Sequence, residues 1–264
     1  MISQSGETAD IRQVLVKANQ MGIPSLTITN VPGSTLSREA TYTMLLHAGP
    51  EIAVASTKAY TAQVATLAIL AKAVGDANGN KVAADFDVVH ELAIVAQSIE
   101  ATLSEKDTIA EKAEVLLKET RNAFYIGRGS DYYVAMEASL KLKEISYIQC
   151  EGFAAGELKH GTISLIEEGV PVIALISSNP VLASHTRGNI QEVEARGASV
   201  LTIVDESQAR EGDDIIVTTV HPFLSAIAMV VPAQLTAYYA TLQRGLDVDE
   251  PRNLAKSVTV NWLP

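Results

Sequence analysis

Cysteine is almost missing. The chain of 264 residues contains one, Cys150, so no intramolecular disulfide can form and the disulfide-stapled extracellular scaffolds are excluded. Positive charge is also in short supply: 20 Lys+Arg stand against 31 Asp+Glu, a net −11 at pH 7. A field of that sign repels polyanions and excludes nucleic acid and anionic membrane surfaces as main partners. The first residues lack the basic region and apolar run of a secretory signal, and with the lone thiol this gives a reducing cytoplasm as the expected location. Charged residues make up only 19% while hydrophobic ones reach 47%, a balance that excludes a disordered chain and supplies the core of one large or two small domains.

One long apolar run calls for a membrane check. Pro222 to Gln243 carries no formal charge and is long enough to span a bilayer. Pro232 and Gln234 interrupt it, and Ser225, Thr236 and Thr241 dilute it, so it is read as a helix buried inside an α/β protein with no membrane partner.

What is present alternates between short β-branched runs and longer helical patterns, the mark of parallel sheets covered by helices. Strands are expected at Pro24–Thr29, Tyr42–Leu46, Ala123–Gly127, Pro171–Ile176, Ser199–Val204 and Asp214–Val217. Helical patterns run from Ser56 to Val74, across Phe86 to Leu117, from Tyr132 to Tyr147, and from Leu182 to a stop at Gly197. Strand, polar turn and helix recur in both halves, which gives an α/β fold of two similar doubly wound lobes. The expected division is a first lobe with linking helices over 1–120, a second lobe over 121–246 and a tail over 247–264. Only Met1 and Ile2 precede the first polar loop, so the first lobe is expected to be incomplete at its N-terminus.

That loop, Ser3-Gln4-Ser5-Gly6-Glu7-Thr8, sets hydroxyls around a glycine just before a helical run. Backbone N–H groups and the positive helix end favour an anion there, although a Ser or Thr in this place is equally a simple N-cap. Ser56 opens the next helix, where capping is the favoured reading from position alone. Lys141 and Glu144 share a helix face, with Glu137 four residues before Lys141. An exposed ion-pair ladder accounts for that spacing as well as a proton-transfer site does. His160 sits in a turn, Gly156-Glu157-Leu158-Lys159-His160-Gly161, where its imidazole can exchange a proton with a sugar oxygen, and no His, Cys or acidic residue keeps metal-ligand spacing with it. The remaining histidines, His47, His90, His185 and His221, have no comparable setting. Lys256 is a candidate imine-forming amine if the tail folds back.

Four segments together resemble the isomerase domain of the glutamine:fructose-6-phosphate aminotransferase (glucosamine-6-phosphate synthase) family: SQSGETAD at Ser3–Asp10, VASTKAYT at Val54–Thr61, LKLKEISY with GELKHG within Leu140–Gly161, and DVDEPRNLAKSVTV at Asp247–Val260. The resemblance implies two sugar-isomerase (SIS) lobes. Ser3, Gln4, Ser5 and Thr8 would bind phosphate, and Val54 and Ser56 would contact the sugar. Glu144 would move the proton between C1 and C2 beside Lys141, His160 would open the sugar ring from a neighbouring subunit, and Lys256 would form the imine. The implied reaction is fructose 6-phosphate plus ammonia to glucosamine 6-phosphate in a homodimer, with no cofactor and no metal. The family's glutaminase domain and a further phosphate-contacting serine loop have no counterpart here, and Ala53 stands where the family typically has glycine. The competing expectation is a sugar-phosphate-binding SIS module, or an inactive fragment, that does not turn over its ligand.

Overall fold

The computed structural model describes residues 1–256; the end of the Asp247–Val260 motif and all that follows Lys256 lie outside the described residues. The chain divides into two compact units, one made of Met1–Ala84 with Asp249–Pro264 and the other of Asp85–Val248.

In the first unit the order is β1 (Ile2–Ser3), α1 (Ala9–Gln20), β2 (Leu26–Thr29), α2 (Thr35–Glu39), β3 (Tyr42–Leu45), α3 (Lys58–Ala77) and α4 (Lys81–Ala84). The three strands form a parallel sheet in the order β1-β2-β3, with Ile2 opposite Ile28 and Leu26 opposite Tyr42. Parallel strands all point their carboxyl ends the same way, so the loops after β1, β2 and β3 emerge along one edge. Helix α1 carries Asp10 in its first turn and Lys17 in its last, matching the helix dipole, and buries Leu15. It stops where Gly22 takes a left-handed φ of +67° and Ile23 N–H returns to the Ala18 carbonyl.

The second unit runs α5 (Val88–Ser104), α6 (Lys106–Leu117), β4 (Asn122–Gly127), α7 (Ser130–Ser146), β5 (Gln149–Ala154), β6 (Pro171–Ile176), α8 (Pro180–Glu194), β7 (Ser199–Asp205), β8 (Ile215–Val217) and α9 (Ser225–Gln243). Its parallel sheet has the order β5-β4-β6-β7-β8. Strand β6 is buried along its whole length, as a strand covered by helices on both faces must be. Phe124, Ile126, Val172, Ala174 and Ile176 form one side of the core with Ile190 and Val193 of α8. Helix α8 starts where the Asn179 side chain accepts from the N–H groups of Val181 and Leu182, with Pro180 in the first turn.

Helix α9 lies within the one stretch among the described residues that is long and apolar enough to cross a membrane by length and composition; it is the core helix of this unit, and 67% of that apolar stretch is buried. It packs against α7, α6 and α5. Helices α5 and α6, which the sequence grouping attached to the first lobe, thus join the second unit through α9; a mixed-charge helical pattern marks an apolar face but not the element that covers it. Strand β5, Gln149-Cys150-Glu151-Gly152-Phe153-Ala154, is absent from the sequence expectation because its alternation is broken by glycine. Cys150 lies buried on it, and burial pushes its thiol up to about 12.

Candidate functional site

The loop after β1 is held by its own hydroxyls. The hydroxyls of Ser3 and Thr8 lie 2.8 Å apart, Ser3 Oγ accepts from Gly6 N–H at 3.0 Å, and Ser5 Oγ accepts from Glu7 N–H at 3.2 Å. Thr8 occupies the N-cap position of α1 but makes no side-chain cap bond, so the capping alternative is not the one realised there. Gly6 turns with φ +67°, and any Cβ on it would run into the Ser34 side chain. The Glu7 carboxylate accepts from Thr35 N–H at 2.8 Å, and the Thr35 bonds hold its pKa below the usual carboxylate value.

The loops after β2 and β3 close around the same edge. Asn30 donates to the Gly49 carbonyl at 2.7 Å and accepts from Ala48 N–H at 3.0 Å, tying the two loops together. A cavity of about 660 Å³ lies between them. Gln4 and Ser5 line it from the first loop, Asn30 to Pro32 from the second, and His47 with Gly49 to Glu51 from the third, and Lys256 lines it as well. The segment from Asp249 to Lys256 is tied to the loop after β3 through main-chain and side-chain bonds: Val54 N–H donates to the Asp249 carbonyl at 2.9 Å, and Lys256 Nζ donates to the Ala53 carbonyl.

Two residues here escaped the sequence reading. His47, set aside with the other histidines, lines the cavity at a left-handed φ of 54°; its signal is a polar loop directly after a parallel strand. Glu51 has a side chain only 3% exposed and takes the place expected of Ser56. Its Oε1 accepts from the N–H groups of Thr57 at 2.8 Å and Ala59 at 3.2 Å, so the helix α3 cap comes from upstream, and Ser56 instead donates to Glu51 Oε2 at 3.2 Å.

Glu144, Lys141 and His160 belong to the second unit. On α7, Lys141 is 4% exposed, with its Nζ 2.7 Å from Glu144 and 3.5 Å from Glu137. An exposed ladder is therefore not what the spacing builds; the lysine is buried between two carboxylates. Burial raises the Glu137 pKa, with Glu144 pushing the same way and Lys141 opposing. His160 ends the 3₁₀ turn Ala155–His160 in an exposed position, just before Gly161. Among the described residues no three His, Cys, Asp or Glu side chains gather as a metal-binding set.

The comparisons agree with one another. The SIS domain model matches residues 1–73 and 116–244. The chain is 81% identical over 260 residues to glutamine–fructose-6-phosphate aminotransferase [isomerizing] of Streptococcus pyogenes serotype M6, covering 98% of this chain and 43% of that protein. The protein of the same name from Streptococcus agalactiae serotype V matches at 81% over 260 residues, with the same coverage of 98% and 43%. The chain thus spans less than half the length of these relatives. The C-terminal domain of glucosamine-fructose-6-phosphate aminotransferase from Francisella tularensis superposes with a TM-score of 0.85 at 34% identity, over 95% of this chain and 72% of that one. Two parallel sheets flanked by helices, the matched SIS segments and this degree of identity place the chain in the SIS-domain family, with the C-terminal domain of the glutamine–fructose-6-phosphate aminotransferases.

Proposed function

We propose that this chain carries out the sugar-isomerising half-reaction of a glucosamine-6-phosphate-forming aminotransferase, converting fructose 6-phosphate and ammonia to glucosamine 6-phosphate. The observation that carries the reading is the single cavity bounded by Gln4 and Ser5 of the hydroxyl-rich loop and by Lys256. A phosphate is recognised by hydroxyls and free N–H groups at a helix start, and a ketose carbonyl by an amine. One ligand that offers both groups is a ketose phosphate.

Ser3, Gln4, Ser5 and Thr8 are assigned to the phosphate, and Val54 and Ser56 to the sugar. The Lys256 amine adds to C2, water leaves, and a C=N bond replaces the carbonyl, which makes the C1 hydrogens more acidic. Ammonia then displaces the lysine. Glu144 removes a proton from C1 and returns it to C2 while the proton of O1 passes to the imine nitrogen, so that C1=O forms as C=N becomes an amine and the amino aldose is left. Lys141, with Nζ 2.7 Å from Glu144 Oε2, fits the task of holding that carboxylate in place. His160 is assigned to ring opening, in a homodimer, and the unpaired Cys150 fits a reducing cytoplasm.

The test is reductive trapping. The chain incubated with fructose 6-phosphate and borohydride should gain one covalent sugar phosphate on the peptide carrying Lys256, and inorganic phosphate should suppress it. Lys256→Ala should abolish the adduct. Trapping on another lysine, or an undiminished adduct in the variant, overturns the assignment; tight binding of the sugar phosphate with no trapping favours a non-catalytic binding module.

A further inference from the structure

The carboxylate of Glu51 divides its two oxygens between different partners. Oε1 is fixed by the helix, accepting from the N–H groups of Thr57 and Ala59 at 2.8 and 3.2 Å. Oε2 faces the other way, accepting from the Ser56 hydroxyl at 3.2 Å and standing 3.5 Å from Lys256 Nζ. Its side chain is 3% exposed, that of Lys256 31%, and both residues line the cavity. A buried carboxylate with four donors around it is held rigidly, whereas a lysine on four rotatable bonds is not.

We propose that Glu51 is the positioning residue that holds the Lys256 amine at the cavity wall and in register with Ser56; the inference rests on Lys256 being the imine-forming amine. Two physical needs meet here. An amine attacks a carbonyl productively only from a narrow set of positions, and an error of about 1 Å costs on the order of 100-fold in rate. A phosphate dianion in the same cavity would also draw a loosely held ammonium toward itself and away from C2. A carboxylate anchored to a helix start provides a fixed counter-anchor, and the Ala53 carbonyl provides a second point of attachment for Nζ. The same oxygen that orients Lys256 orients Ser56, so the amine and the sugar-contacting hydroxyl move as one unit.

Glu51→Gln tests this, since the amide oxygen can still cap α3 while its NH₂ replaces Oε2 against Lys256 and Ser56. Two measurements on the whole chain separate the inference from the function it rests on. The first is the rate of reductive methylation of Lys256 by formaldehyde and cyanoborohydride without substrate, normalised to Lys17. This should rise several-fold in Glu51→Gln, and in Glu51→Asp as well, whose shorter side chain cannot serve both the helix and the amine. The second is trapping with fructose 6-phosphate, which should slow by about 10- to 100-fold in Glu51→Gln at saturating sugar, with the half-saturating concentration changed less than about threefold. Unchanged methylation in both variants overturns the inference whatever the trapping gives. Raised methylation with no trapping in the parent chain upholds the hold of Glu51 on Lys256 and removes the imine function instead. If Glu51→Gln does not fold, Glu51→Asp carries the same two measurements.

Discussion

The turn after β1 and the turn after β4 stand at equivalent places, each at the carboxyl end of a parallel strand and just before a helix, yet their side chains are used in opposite ways. After β1 the chain sets out Ser3, Gln4, Ser5 and Thr8 around Gly6, and Gln4 and Ser5 face an open cavity. After β4 the turn is filled by its own residues: Arg128 makes two bonds to Asn189 Oδ1, at 3.1 and 2.8 Å, and Asp131 accepts from Ser177 N–H at 2.9 Å. The sheets differ in the same sense. The first has three strands with Ser3, Ser25, Thr27 and Thr29 buried among them, while the second has five and an apolar core. Parallel-sheet geometry supplies a crevice in both units, and the side chains placed there decide whether a ligand or the protein itself occupies it.

The largest effect expected is on turnover. Glu144→Gln keeps the shape of the Lys141 contact but removes the carboxylate proposed as the base, and should lower the conversion of fructose 6-phosphate by about 10²- to 10⁴-fold while sugar-phosphate binding stays within about threefold. Turnover at the parent rate would take the proton-transfer role out of the second unit.

Paired glycine substitutions probe the two turns directly. Gly6→Ala meets both a left-handed φ of +67° and the Ser34 side chain, and should cost about 2–3 kcal/mol in thermal unfolding together with most of the phosphate affinity. Gly129→Ala, at φ +58° and against Leu182, should cost stability of the same order and leave phosphate binding untouched. Equal loss of phosphate affinity in both variants, read by calorimetric titration with inorganic phosphate, would erase the distinction between the turns.

The smallest effect lies in Asp131. Burial raises its carboxyl from 3.8 to about 6, against the opposing Ser177 hydrogen bond. Between those values the folded chain binds more protons than the unfolded one, so this group's contribution to stability falls as pH rises through about 6. Asp131→Asn keeps an acceptor for Ser177 N–H and removes the charge. It should gain about 1–2 kcal/mol at pH 7 and nothing below about pH 4, by denaturant unfolding at each pH. A variant less stable than the parent at pH 7 would mean that the charge itself supports the filled turn.

Much of the fold was legible because strands buried on both faces read as continuous apolar runs; Pro171–Ile176 has the same bounds in sequence and structure. Strand β5 was not legible, since Glu151 and Gly152 obscure its period. At the site, residue type alone left the hydroxyl-rich loop equally an N-cap and made Lys256 conditional on the tail folding back; the family resemblance is what singled both out. Glu51 and His47 did not: a glutamate after Gly-Pro reads as solvent-facing, and only the tertiary fold turns it inward to cap a helix that begins seven residues later. Lys141 shows the converse, since helical spacing gave its neighbours while burial, which decides between an exposed ladder and an enclosed pair, is a property of packing alone.

The link from Val54 N–H to the Asp249 carbonyl, with the Lys256 contact to the Ala53 carbonyl, is made to main-chain atoms on the loop side. Such stitching is strict about the number of residues between Asp249 and Lys256. Homologous chains should therefore show no insertion or deletion in that interval, because one residue more or less would shift the amine along the seam and out of reach of Glu51.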